Sequence, residues 1–176
     1  MKTNSDKFVW PGHLIRRLQQ MAVLVFHQET EGLGLTPTQF VTLLAIEDQA
    51  GVDQVRLSQV TKIDRSMTAR IVETLAQRGL IRKQPGKTDK RANSLFLAPK
   101  GARLLKAAAP SVDKSQKEIL RPLSSADRKE FVRMVRVVLD AHGKLEDESV
   151  DGEGAEAAPA KPKAKRKSAP PGVRKP

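Results

Sequence analysis

The stretch Asp64–Gly79, DRSMTARIVETLAQRG, decides the fold. At about 100° per residue, Met67, Ile71, Val72 and Leu75 fall on one side of a helix. Arg65, Ser66, Ala69, Arg70, Glu73 and Gln77 fall on the other. Asp64 is placed to act as N-cap, since its carboxylate can accept from free backbone N–H groups and suits the positive end of the helix dipole. Gly79 is a natural terminator. The outward face is unusual in its first two turns, where short side chains lie between two arginines. Such a face lets a helix approach a partner closely while two long donors reach forward.

The neighbouring segments define what this helix belongs to. Residues 12–27 carry Leu14, Ile15, Leu18, Met21, Ala22 and Val25 at helical spacing, and the glycines of EGLGL end that helix. In LTPTQFVTLLAI, Thr36 as N-cap, Pro37 at the first helical position and Gln39 three residues on form a capping box, with Phe40, Leu43, Leu44 and Ile46 as the buried face. A short helix is expected over Arg56–Lys62, with Leu57 and Val60 inward, separated from the opening stretch by the turn KID. After Gly79 the period changes. LIRKQ and NSLFLA read as strands around the basic turn PGKTDKRA, a β-hairpin with a charged tip. Pro99 opens a fifth helix that Pro110 should kink or interrupt, because proline lacks the N–H the ladder needs. A sixth helix runs from Ser124 or Ser125 to about His142, with Phe131, Met134, Val135, Val138 and Leu139 as an apolar stripe.

Charge separates one part of the chain from the rest. The 176 residues carry a formal +12. Residues 56–106 hold 13 Lys/Arg against 3 Asp/Glu, whereas residues 1–55 and 107–143 together hold 11 of each sign. A solubility surface would be spread out; a localised positive field suits a polyanion such as nucleic acid. From Lys144 the composition becomes acidic and then basic and proline-rich, which predicts a disordered tail over residues 144–176. There is no cysteine, hence no disulfide or thiolate chemistry. Three scattered histidines do not make a metal site, and neither a glycine-rich phosphate loop nor a nucleophile motif is present. The expectation is a cytoplasmic protein, not an enzyme, with no cofactor, no metal and no membrane segment.

Helix, short turn, helix with a polar leading end, and basic hairpin together make a winged helix-turn-helix. A recognition helix must fit a major groove roughly 12 Å wide. Ser66 can meet a base edge or phosphate, the Ala69 methyl a thymine methyl, and Arg65 and Arg70 phosphates or a guanine edge. Lys87, Lys90 and Arg91 sit on the hairpin tip, where an arginine can enter a narrow minor groove. Any one of these arginines reads equally well as solvated surface; the combination points to double-stranded DNA.

On these pieces the chain resembles the MarR family of transcriptional regulators over residues 10–142. LTPTQFVTLLAI matches the second helix, DRSMTARIVETLAQRGLIRK the recognition helix and first wing strand, DKRAN the wing tip, and LAPKGARLL the start of the fifth helix. The resemblance implies a mainly α fold with a small β-hairpin wing, six helices, and an intertwined homodimer through the N- and C-terminal helices. It assigns dimerisation to about residues 10–30 and 99–143 and DNA binding to about 36–98, with residues 1–9 as an N-terminal arm. It also implies that Arg91 enters the minor groove while Asp89 holds the wing's shape. A twofold dimer requires a roughly palindromic operator. Two departures stand out: Ala69 and Ala98 each replace a threonine common in the family, the first removing a polar contact to DNA and the second a helix cap.

Many such regulators bind small aromatic acids. In WPGHLIRRLQQM, Trp10, His13 and Arg17 share one side of the first helix. Trp10 and Phe40 offer flat apolar walls, and His13 with Arg16 or Arg17 can hold a carboxylate. The simpler reading is a stapled helix start and interface hydrogen bonds. The function expected is a dimeric repressor released from its operator by a small aromatic carboxylate. The competing reading is an architectural protein that coats DNA through its lysine- and proline-rich tail.

Overall fold

The computed structural model describes residues 9–85 and 93–143. Six helices and one two-stranded antiparallel sheet lie among them: α1 (Pro11–Glu29), α2 (Pro37–Asp48), α3 (Gln54–Thr61), α4 (Arg65–Gln77), β1 (Ile81–Pro85), β2 (Asn93–Leu97), α5 (Pro99–Ile119) and α6 (Ser125–Ala141). The expected N-terminal arm, except Val9, and the acidic-then-basic tail fall outside the described residues. No helix among the described residues is long and apolar enough to cross a membrane.

Local chemistry starts most of these elements where the sequence places them. Thr36 and Gln39 close a full capping box: the Gln39 N–H donates to Thr36 Oγ1 at 3.2 Å, and Gln39 Oε1 accepts the Thr36 N–H at 3.3 Å. Asp53 caps α3 by accepting the Arg56 N–H at 2.8 Å, which starts that helix at Gln54 rather than at Arg56. Ser124 caps α6. Ala98 precedes α5 without a side-chain cap, as its missing hydroxyl requires.

The core centres on the lobe of α2, α3, α4 and the hairpin and extends to Phe26 of α1 and to Leu105, Ala108 and Val112 of α5. Leu43, Ile46, Leu57, Val72, Leu75 and Leu95 are fully buried, drawn from α2, α3, α4 and β2. Burying a side chain of this size stabilises by about 1.5–3 kcal/mol, so these few residues dominate the lobe. The hairpin pairs Ile81 with Leu97 and Pro85 with Asn93. A bridge between Val52 and Leu95, not foreseen from the sequence, ties the segment before α3 to the hairpin, with Leu95 N–H donating to Val52 O at 2.9 Å and Gly51 N–H to Leu95 O at 2.8 Å.

Four expectations need correction. In α4 the buried set is Thr68, Ile71, Val72 and Leu75, and Met67 is exposed. The helix is rolled so that the Thr68 hydroxyl donates to Ile63 O at 3.1 Å, which satisfies a buried polar group and leaves its methyl inside. In α2, Leu44 is exposed while Thr42 is buried and donates to Thr38 O at 2.8 Å. In α3, Val60 is exposed and Ser58 takes the inward place beside Leu57. Pro110 does not interrupt α5, which continues to Ile119. Leu105, Ala108, Val112 and Ser115 bury one continuous face there, and α5 packs along α1 with Lys114 paired to Glu29 at 2.7 Å. That packing outweighs one lost backbone hydrogen bond, for which proline costs about 3 kcal/mol in a helix interior.

Candidate nucleic-acid interface

α3 is followed by Lys62, whose φ of 54° lies in the left-handed region and turns the chain sharply towards Asp64. The Asp64 carboxylate then accepts the Met67 N–H and the Ser66 hydroxyl, both at 2.8 Å. These bonds, the backbone one first, hold the Asp64 carboxyl below its ordinary value. The cap therefore carries a negative charge at the helix's positive end, where the dipole favours it.

The roll of α4 about its axis settles what faces outward. Arg65, Ser66, Ala69, Arg70, Glu73 and Gln77 are all exposed, opposite the buried Thr68, Ile71, Val72 and Leu75. Met67 joins the exposed flank. Ser66 is not an idle hydroxyl, because its donor is used by Asp64; its lone pairs remain available as acceptors. A helix presenting two arginines around a serine and an alanine can enter a groove without a bulky side chain in the way.

The hairpin is anchored to this helix. Lys83 on β1 donates to Glu73 on α4 at 2.6 Å, and the ammonium holds the Glu73 carboxyl below its ordinary value. This pair, missed from the sequence, sets a positive charge against the one acid on the outward face of α4 and links the first strand to that helix. The strands end at Pro85 and Asn93. Lys87, Asp89, Lys90 and Arg91 lie in the connection between them, outside the described residues.

The proposed effector residues are brought together only in part. Trp10 is the N-cap residue of α1 and is 72% exposed; His13 is half-buried on the next turn, and Arg16 and Arg17 are exposed. Arg16 donates to Gln20 at 3.1 Å along the same helix. Phe40 does not stand as an open wall beside Trp10. It is buried in the lobe core, its ring centroid 6.3 Å from that of Phe26. Its position in the capping-box helix, pointing inward, is what packing of Leu43 and Ile46 on the same face demands.

Comparison with known proteins agrees with this architecture. The profile of the MarR family matches residues 33–92. The chain is 31% identical over 130 residues to the HTH-type transcriptional repressor NicR of Pseudomonas putida, covering 74% of this chain and 82% of that one. Its structure is similar to that of the PcaV transcriptional regulator of Streptomyces coelicolor in complex with its natural ligand, with a TM-score of 0.71, 31% identity, and coverage of 76% of this chain and 94% of PcaV. It is also similar to BpsR of Bordetella bronchiseptica, whose DNA binding is regulated by 6-hydroxynicotinic acid, with a TM-score of 0.72, 30% identity, and coverage of 75% and 94%. With the helix-turn-helix and hairpin in place and about 30% identity to regulators matched over most of their length, the chain belongs to the MarR family of transcriptional regulators.

Proposed function

We propose that this regulator is a dimeric repressor that grips a palindromic operator and is released from it by a small aromatic carboxylate. The observation that carries the DNA half of this reading is the exposed row Arg65, Ser66, Ala69 and Arg70 on a helix whose opposite face is fully packed. α4 enters the major groove. Arg91 of the wing reaches the adjoining minor groove, Lys87 and Lys90 lie along the phosphates, and Asp89 steadies the wing.

The dimer follows from apolar surface that one chain leaves bare. α6 buries none of its side chains, and Met134, Val137, Val138 and Leu139 are each about half exposed. Ile15 and Leu18 of α1 line a groove with Phe131 and Val135 of α6. An apolar face of this extent marks a protein interface rather than a solvated surface. A second copy of the same helices covers it in a twofold arrangement.

The effector half rests on α1. Trp10 supplies a flat wall, and His13 with Arg17 or Arg16 supplies a grip on a carboxylate, arginine through its two-pronged fork. The regulation of BpsR by 6-hydroxynicotinic acid supports a planar acid as the ligand class. Phe40 takes part only through the core it belongs to. Because a ligand shifts an equilibrium by its differential affinity alone, the acid must bind the DNA-free arrangement more tightly.

The test is a thermal-unfolding screen of aromatic carboxylates, beginning with 6-hydroxynicotinate, paired with a footprint on selected operator DNA. One acid should raise the unfolding temperature and erase the footprint at the same concentration. Stabilisation without loss of the footprint contradicts release by that ligand. Uniform coverage of the duplex favours the architectural reading instead.

A further inference from the structure

The turn between α4 and β1, Arg78–Gly79–Leu80, is held from two sides by groups outside the recognition helix. On one side, Arg78 Nη1 donates to Gln39 Oε1 at 3.2 Å, the same oxygen that caps the start of α2 through the Thr36 N–H. On the other side, three features of the α5 N-terminus meet the turn. Lys100 Nζ donates to Arg78 O at 2.9 Å, and the Ala98 N–H donates to Leu80 O at 2.9 Å. Gly101 lies so close to the Leu80 carbonyl that a Cβ there would collide with it. The turn that ends the recognition helix is thus clamped between the starts of two other helices.

We infer that Arg78 and Lys100 are positioning residues that fix the direction of α4 relative to α5. This rests on the reading of α4 as the recognition helix of a dimer. α5 runs from this clamp along α1, joined to it by the Lys114–Glu29 pair at 2.7 Å. A rigid connection at its N-terminus makes the angle of each recognition helix a property of α5. In a twofold dimer that angle sets the separation of the two recognition helices, and hence the half-site spacing the protein accepts. Because the clamp acts through the orientation of α4, its effect is on spacing and not on base preference. Arg78 reaches the Gln39 oxygen through Nη1, a charge-assisted bond between the end of α4 and the start of α2. Lys100 is exposed and donates to the Arg78 carbonyl, so its removal costs little packing.

The experiment uses the full chain and duplexes that wild-type protein selects from a random-sequence library. Each selected palindrome is rebuilt as a single half-site and with its spacer lengthened or shortened by one base pair. Wild type, Lys100→Met, Arg78→Met and Arg78→Lys are compared by affinity on every duplex and by thermal unfolding. Lys100→Met and Arg78→Met should lose about threefold to tenfold on the selected spacing, the range expected for residues that tune coupling without touching ligand. They should keep wild-type affinity for the half-site and discriminate less between spacings. Arg78→Lys, which keeps a charged donor without the fork, should fall between. Unchanged spacing discrimination in Lys100→Met overturns the inference, and so does a loss on half-site and palindrome alike that follows a lowered unfolding temperature. Lys100→Met keeps the question answerable if Arg78→Met does not fold. Wild-type protein that selects no palindrome contradicts the proposed function itself, and the inference falls with it.

Discussion

Asp64 shows how much one side chain decides. Its carboxylate caps α4, orients Ser66, and places a charge at the helix's positive end. Asp64→Ala should cost about 1 kcal/mol of stability, read from chemical unfolding, as removal of an N-cap does. The folded carboxyl titrates below its ordinary value. Its contribution is therefore present above the unfolded carboxylate range and is lost as pH falls through the folded value. Acid unfolding of Asp64→Asn should lack this component, while its stability near neutrality stays close to that of wild type. Arg70 acts outward instead. Arg70→Ala should weaken operator binding and lower the slope of log affinity against log salt by about 1, if its guanidinium meets a phosphate. Sedimentation of that variant should still show the wild-type assembly.

At the scale of elements, local signals were legible and long-range ones were not. The α2 start could be read from Thr36, Pro37 and Gln39 because its capping box needs only four consecutive residues. The two strands could be read from a change of period. The roll of α4 could not, because hydropathy ranks Met67 above Thr68, whereas the structure buries the threonine by giving its hydroxyl the Ile63 carbonyl. The anchors of the candidate interface escaped for a related reason. Glu73 and Lys83 are ten residues apart, and Gln39 and Arg78 thirty-nine, and no local pattern marks either pair. Phe40 was correctly given an inward face, which is why it cannot also serve as an open wall. α5 gives the sharpest test of packing over propensity. Pro110 is exposed within a helix that runs on past it. Pro110→Ala restores a backbone donor and should stabilise the protein by about 1–3 kcal/mol, measured by thermal or chemical unfolding. Destabilisation would mean that the proline's restriction of the unfolded chain matters more than its lost hydrogen bond.

For the whole molecule, charge and apolar surface divide the labour. The positive excess belongs to residues 56–106, and most of the bare apolar surface to the start and length of α1 and to α6. The proposed roles, DNA binding for the first and pairing of chains for the second, account for both. The segment from Lys144 onward holds 8 basic and 6 acidic residues and adds charge without core-forming side chains. Deleting residues 151–176 should flatten the salt dependence of binding and leave the preferred sequence unchanged. A changed preference, seen by repeating the selection with the shortened chain, would give the tail a reading role. The central claim is that α4 and the wing grip adjoining grooves of one duplex. Its most direct measurement is a hydroxyl-radical footprint on selected operator DNA with wild type, Arg70→Ala and Arg91→Ala. The account predicts two protected half-sites about one helical turn apart for wild type. It predicts weakened protection, with dimers intact, for each variant. Even protection along the duplex, or a footprint that neither substitution disturbs, would contradict it.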